Sequence, residues 1–150
     1  MQSRVQLRGG RSVNRDVTAE EYRSMAAFQF CVRRYLRFSE KTVRNADLEP
    51  SQYQLLLSIK GLAPNLRPTI AELAHRLQIQ HHSAIELINR LEQKSLVSRE
   101  RGTNDRREVL IRLTPAGDRM IAKLVALHMT ELSSVAAPDF IKSLQTILRN

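Results

Sequence analysis

The segment from Thr69 to Leu113 constrains this 150-residue chain more than any other, because two short helical patterns there lead into an arginine-rich hairpin. Thr69-Ile-Ala-Glu72 predicts a capping box, with the Thr69 hydroxyl closing a helix start and Glu72 reaching back to it. In the next pattern, His81 to Lys94, the residues Ala84, Leu87, Ile88 and Leu91 recur at i, i+3, i+4 and i+7. At about 100° per residue, His82, Ser83, Glu86, Asn89 and Arg90 fall on the opposite arc. From Val97 the period drops to two. Val109, Ile111 and Leu113 alternate with Glu108, Leu110 and Arg112, Val97 to Arg101 is the partner strand, and Gly102-Thr-Asn-Asp105 supplies turn residues. Arg99, Arg101, Arg106, Arg107 and Arg112 crowd into this hairpin. A helix-turn-helix followed by a basic β-ribbon suits a protein that enters one groove of DNA and reaches beside it.

The flanks read as helices. Residues 1–17 are polar, with Gly9-Gly10 and arginines at 4, 8, 11 and 15, and are expected to form a flexible basic arm. Thr18-Ala-Glu-Glu21 is a second capping box, opening a helix to about Asn45 with Met25, Phe28, Val32, Tyr35, Leu36 and Val43 as one apolar stripe. So long a helix in so short a chain suggests a subunit interface. Pro50 starts the next helix, with Leu55, Leu56 and Ile59 inward, and Gly61 ends it. Thr114-Pro115 caps a helix to about Ser133 with Met120, Ile121, Leu124 and Leu127 apolar. Pro138 opens a last one, in which Phe140, Ile141, Leu144, Ile147 and Leu148 are expected to be buried. The predicted fold class is mainly α with a small β-hairpin wing: a winged helix-turn-helix flanked by terminal helices.

Composition narrows the function. There are 24 Lys+Arg against 15 Asp+Glu, a formal charge of +9, which points to a polyanionic partner. Arginine outnumbers lysine, and its planar fork suits phosphate and guanine. The one cysteine, Cys31, excludes an intramolecular disulfide and a multi-cysteine zinc site, and between Phe30 and Val32 it reads as a buried inert thiol. His75, His81, His82 and His128 show no ligand spacing, so no metal and no cofactor is expected. Nucleophile elbow, phosphate-cradling loop and clustered carboxylates are all missing, which speaks against an enzyme. No signal peptide or membrane-spanning run is apparent, and a cytoplasmic location follows as an expectation.

Each residue of the polar arc has a chemistry to offer DNA. Asn89 can read adenine bidentately, Glu86 can accept from cytosine, and His81, His82 and Ser83 can bond to bases or phosphates. Arg90, further along, suits a phosphate, although Glu86 and Arg90 also have the spacing of a surface ion pair. Arg106 and Arg107 at the hairpin tip, with Arg99 and Arg101 on its stem, fit the negative potential of a minor groove. Asp105 is placed to orient the Arg107 side chain through a charge-assisted bond.

Over residues 48–117 the chain resembles the MarR family of bacterial winged-helix transcriptional regulators. The resemblance is carried by Leu48-Glu-Pro-Ser-Gln-Tyr53, Ile70-Ala-Glu-Leu-Ala74, Asn89-Arg-Leu-Glu92, Leu96-Val97-Ser-Arg99, Asp105-Arg-Arg107 and Leu113-Thr-Pro-Ala-Gly117, in family order and spacing. It implies a homodimer joined by terminal helices (18–45 and 115–150), a DNA-binding lobe over 46–114, and a palindromic operator of double-stranded DNA. The helix from His81 would read the major groove and Arg107 would enter the minor groove. It also implies a repressor that responds to a small-molecule effector, with Tyr35, Phe38 and Tyr53 as lining residues of a pocket between dimer helices and lobe. The chain departs from the family pattern at Glu86, at His81-His82, and at Ser95, where a glycine usually closes the helix. Two other readings remain: a winged-helix protein–protein adaptor without operator binding, and a membrane-surface binder suggested by charge alone.

Overall fold

The computed structural model describes residues 16–133 and 137–149, so most of the expected arm, residues 1–15, lies outside the described residues. Thr18 caps α1, Ala19–Asn45, by accepting from the Glu21 amide at 3.2 Å, while the Glu21 carboxylate accepts from the Thr18 amide at 2.8 Å. The predicted stripe on α1 divides. Val43 is fully buried and Phe28, Val32 and Tyr35 are half-buried, whereas Met25 and Leu36 point outward, 45% and 54% exposed. Asp47, in the left-handed region at φ 57°, turns the chain into α2, Pro50–Lys60. Gln52 on α2 accepts from the Glu49 amide at 2.9 Å, which closes the helix start left open by proline.

Thr69 caps α3, Ile70–Leu77, accepting from the Glu72 amide at 3.1 Å. The reciprocal half of the predicted box does not form. Glu72 instead accepts from Arg76 Nε at 2.8 Å, and the Thr69 amide is already satisfied by the Arg67 carbonyl at 2.8 Å. Gln78 at φ 53° makes the turn into α4, His81–Gln93, and Ser95 at φ 56° closes α4. The Ser95 amide donates to the Glu92 carbonyl and the Leu96 amide to the Leu91 carbonyl, so the left-handed residue ends the helix as the family's usual glycine would.

Strands β1, Val97–Arg101, and β2, Val109–Leu113, pair antiparallel with Val97 opposite Leu113 and Arg101 opposite Val109. The alternation expected on β2 is broken, because Leu110 (5% exposed) and Ile111 (0%) are both buried. The chain just ahead of α3 explains this: Thr69 bridges Leu110 and the Ile111 amide donates to the Pro68 carbonyl, so the hairpin is covered along its other edge.

Thr114 starts α5, Pro115–Glu131, by accepting from the Gly117 amide at 3.0 Å while its hydroxyl donates to the Ser95 carbonyl at 2.7 Å. A Cβ at Gly117 would lie 2.0 Å from the Leu96 carbonyl oxygen, so only glycine lets α5 abut the end of α4. The last helix, α6, Ala137–Leu148, packs along α1, with the Phe28 and Phe140 rings stacked at 5.4 Å. Burial there is less than expected: Ile141 is 51% and Leu148 77% exposed, and Leu127 on α5 is 43% exposed. The core lies between α2, α3, α4 and the hairpin, where Leu55, Leu56, Leu73, Ile88, Leu91 and Ile111 are fully buried, and α5 closes it with Ile121 and Leu124. Each such side chain contributes about 1.5–3 kcal/mol.

Candidate nucleic-acid interface

Helix α4 sorts its residues as the wheel requires. Ala84, Leu87, Ile88 and Leu91 are buried, while His81, His82, Glu86, Asn89 and Arg90 are exposed and Ser83 is half-buried. No side chain caps its N-terminus at Gln80, so first-turn amides remain on the same end as the two histidines. Glu86 and Arg90 form no ion pair, in spite of their spacing. Lys94 fixes the far end of α4 by donating to the Asp47 carbonyl at 2.6 Å and to its carboxylate at 2.8 Å. That hydrogen bond, with the ammonium charge, lowers the Asp47 pKa below its ordinary value.

The hairpin places its arginines in two settings. Arg106 and Arg107 are exposed at the tip, and Arg101 is exposed on the stem, with no ion pair to any of the three among the described residues. Arg99 does something else: its Nη2 donates to the Asn89 amide oxygen at 2.6 Å and its Nη1 is held by the Glu92 carboxylate, so it ties β1 to α4. Arg112 pairs across the hairpin with Glu100 at 3.2 Å. Asp105 differs from expectation too. Its carboxylate accepts from the Arg107 backbone amide at 2.9 Å, shaping the turn rather than steering the guanidinium.

Two further contacts hold the tip. The Gly102 amide donates to the Glu108 carbonyl at 2.8 Å, and a Cβ on Gly102 would stand 2.7 Å from the Asp105 carbonyl oxygen. Arg67, in the loop ahead of α3, lies 2.5 Å from Glu108. Sequence reasoning passed over Arg67, whose partner is distant in the chain and leaves no local signal.

Tyr35, Phe38 and Tyr53 do meet, but the space between them holds the imidazole of His128. Tyr53 stacks on that ring at 4.6 Å, and Tyr35 and Phe38 approach it edge-on at 5.9 and 5.6 Å. His128 is 3% exposed; its Nδ1 donates to the Leu124 carbonyl at 2.6 Å, and its Nε2 lies 2.9 Å from the Ser39 hydroxyl. Burial raises the pKa of Tyr35 and of Tyr53, and the charge of Tyr35 raises Tyr53 further. A signal for His128 was present, since it continues the spacing of Ile121 and Leu124 on the buried side of α5. Cys31 is buried at 7% exposure. Among the described residues no cluster of three or more His, Cys, Asp or Glu could hold a metal ion, and no helix is long and apolar enough to cross a membrane.

A helix pair joined by a tight turn at Gln78, a polar face on its second helix and a basic hairpin beside it define a winged helix-turn-helix protein. The MarR family model matches residues 46–108 of this chain, somewhat less than half of its length. The HTH-type transcriptional repressor MdtR of Bacillus subtilis (strain 168) is 29% identical over 86 residues, 57% of this chain and 54% of that protein. The chain thus aligns with about half the length of that relative. A MarR family protein from Bacillus stearothermophilus has the same fold at TM-score 0.70, 18% identity and coverage of 89% of this chain and 94% of its own. A cysteine-to-serine variant of E. coli MarR, solved in complex with operator DNA, matches at TM-score 0.63 and 23% identity over 90% of this chain and 97% of its own.

Proposed function

We propose that the protein is a homodimeric repressor that binds a palindromic operator in double-stranded DNA and releases it in response to a small-molecule effector. The observation that carries this reading is an exposed polar face of α4 tied to an exposed basic wing through the Arg99–Asn89 bond: His81, His82, Glu86, Asn89 and Arg90 stand on α4, and Arg101, Arg106 and Arg107 on the wing. The α4 face suits a major groove, and the wing tip suits the minor groove next to it. The domain reading follows, with 46–114 as the DNA-binding lobe and 18–45 and 115–150 as dimerisation helices. Tyr22, Phe30, Leu36, Met129, Ile141 and Leu148 on the terminal helices, all more than half exposed, give a second copy an apolar surface to cover. An aromatic effector at the junction of helices and lobe would have to displace His128 from among Tyr35, Phe38 and Tyr53.

The test is to select bound duplexes from a random pool and titrate the winner against salt. Two half-sites one helical turn apart, and an affinity that falls steeply with salt, are expected. A salt-independent affinity, or a protein that sediments as a monomer on its selected duplex, would overturn the reading.

A further inference from the structure

Asn89 stands on the exposed arc of α4, one turn after Glu86 and one turn before Glu92. An asparagine free on a helix face offers an acceptor and two donors, and pairs with adenine by accepting from N6 while donating to N7. Here half of that capacity is taken. Arg99 Nη2 donates to the Asn89 amide oxygen at 2.6 Å, while Glu92 holds the other guanidinium nitrogen. A guanidinium carries donors only, so the oxygen of the amide has to face it and the NH2 group has to turn away.

The arrangement is anchored on both sides. Arg99 sits on β1 opposite Ile111, which is fully buried, and Glu92 lies beside Leu91, also fully buried. The side chains of Arg99 and Glu92 are only 32% and 33% exposed, so water competes weakly for the pair.

We infer that Arg99 is a positioning residue that determines specificity: with Glu92 behind it, it holds Asn89 as a donor-only reader, so α4 takes guanine at the position Asn89 faces instead of adenine. Guanine presents two acceptors, O6 and N7, in the major groove, matching the two amide hydrogens left to Asn89. Thymine presents one acceptor beside a methyl group, and cytosine presents a donor. Glu86, one turn earlier and an acceptor when ionised, complements this by taking the N4 hydrogen of cytosine. The half-site centre is therefore a guanine- and cytosine-containing step. This inference rests on the operator reading above.

Selection from a random duplex pool with the full chain tests it, run in parallel for wild type, Asn89→Ala, Arg99→Met and Asn89→Asp. The position Asn89 reads is the one at which Asn89→Ala loses its preference. Wild type is expected to require guanine there, and Arg99→Met, which frees the amide oxygen, should move the guanine-to-adenine ratio toward adenine by about tenfold. Asn89→Asp keeps a partner for Arg99 and leaves the hairpin in place, but it has no donor and should lose the guanine preference. That variant covers the case in which Arg99→Met disturbs the fold. Adenine at this position in wild type, guanine retained by Asn89→Asp, or an Asn89→Ala profile like that of wild type would overturn the inference while leaving operator binding intact. A wild type that enriches no sequence would overturn the operator reading and the inference with it.

Discussion

Between α2 and β2 the large apolar side chains lie inside, and Leu57 at 38% is the one exposed member of that region among the described residues. On the terminal helices the reverse holds: Tyr22, Phe30, Leu36, Met129 and Leu148 are 54–77% exposed, although α6 already packs along α1. The winged region therefore satisfies its hydrophobic pattern within one chain. The terminal helices carry the same kind of pattern with nothing among the described residues to cover it, which is the surface the proposed homodimer would bury. Fold stability should reside mainly in the first region and oligomeric state in the second.

The largest effect that can break this contrast comes from the winged core. Ile88→Ala empties a fully buried site at the centre of the lobe and should cost about 2–5 kcal/mol in urea unfolding. Leu36→Glu on α1 leaves that core untouched. It should lower the melting temperature only through the loss of the partner, so its effect should vanish on dilution, and sedimentation should show a smaller species. If Leu36→Glu destabilised the chain as much as Ile88→Ala at every concentration, the division between the two regions would be wrong.

Next in size is the joint between the regions. His128 on α5 touches Tyr35, Phe38 and Ser39 from α1 and Tyr53 from α2. His128→Phe keeps the ring but removes its hydrogen bonds to Leu124 and Ser39, and should cost about 1–3 kcal/mol. A variant as stable as the wild type would show that ring stacking alone makes the joint. The wing gives a third effect, confined to DNA. Arg107→Ala should reduce the salt slope of binding by about one and leave stability within about 0.5 kcal/mol, since its exposed guanidinium has no hydrogen bond or ion pair among the described residues. An unchanged affinity would remove the wing from the interface.

What could be read in advance follows from how local each signal is. Helix starts at Thr18, Thr69 and Thr114 and the buried side of α4 rest on spacings within one or two turns, and the structure keeps them. Leu110 falls on the outward side of the alternation, but its burial depends on Thr69 and Pro68, some forty residues away. Arg99 reads as a groove-reaching arginine, but its partners, Asn89 and Glu92, belong to a different element and leave no local signal. Asp105 reads as a partner for the Arg107 guanidinium, but its carboxylate accepts from the Arg107 backbone amide. Pattern settles which face is apolar, but the contacts of a particular charged side chain are settled by the packing of elements against one another.

Ser95 tests that local logic at the seam of α4 and the wing. A side chain at φ 56° costs about 1–2 kcal/mol, and glycine would return part of that as lost chain entropy. Ser95→Gly should therefore stabilise the protein by about 0.5–1 kcal/mol in denaturant unfolding. A destabilised variant would mean that the Ser95 side chain itself contributes to this seam, beyond the carbonyl that accepts from Thr114.

The smallest effect lies at the joint and needs alkaline solution to be seen. Burial raises the pKa of both Tyr35 and Tyr53, and the Tyr35 charge adds to the shift of Tyr53. A raised phenol holds its proton more tightly in the folded chain than in the unfolded one. Its contribution is thus complete below the ordinary tyrosine value, about 10, and is lost as pH climbs through the raised value. Denaturant midpoints followed up the alkaline limb should fall for the wild type and fall less steeply for Tyr53→Phe. The winged region has no other tyrosine, so an unchanged slope in Tyr53→Phe would move the alkaline sensitivity from Tyr53 onto α1, to Tyr35 at the joint or to Tyr22.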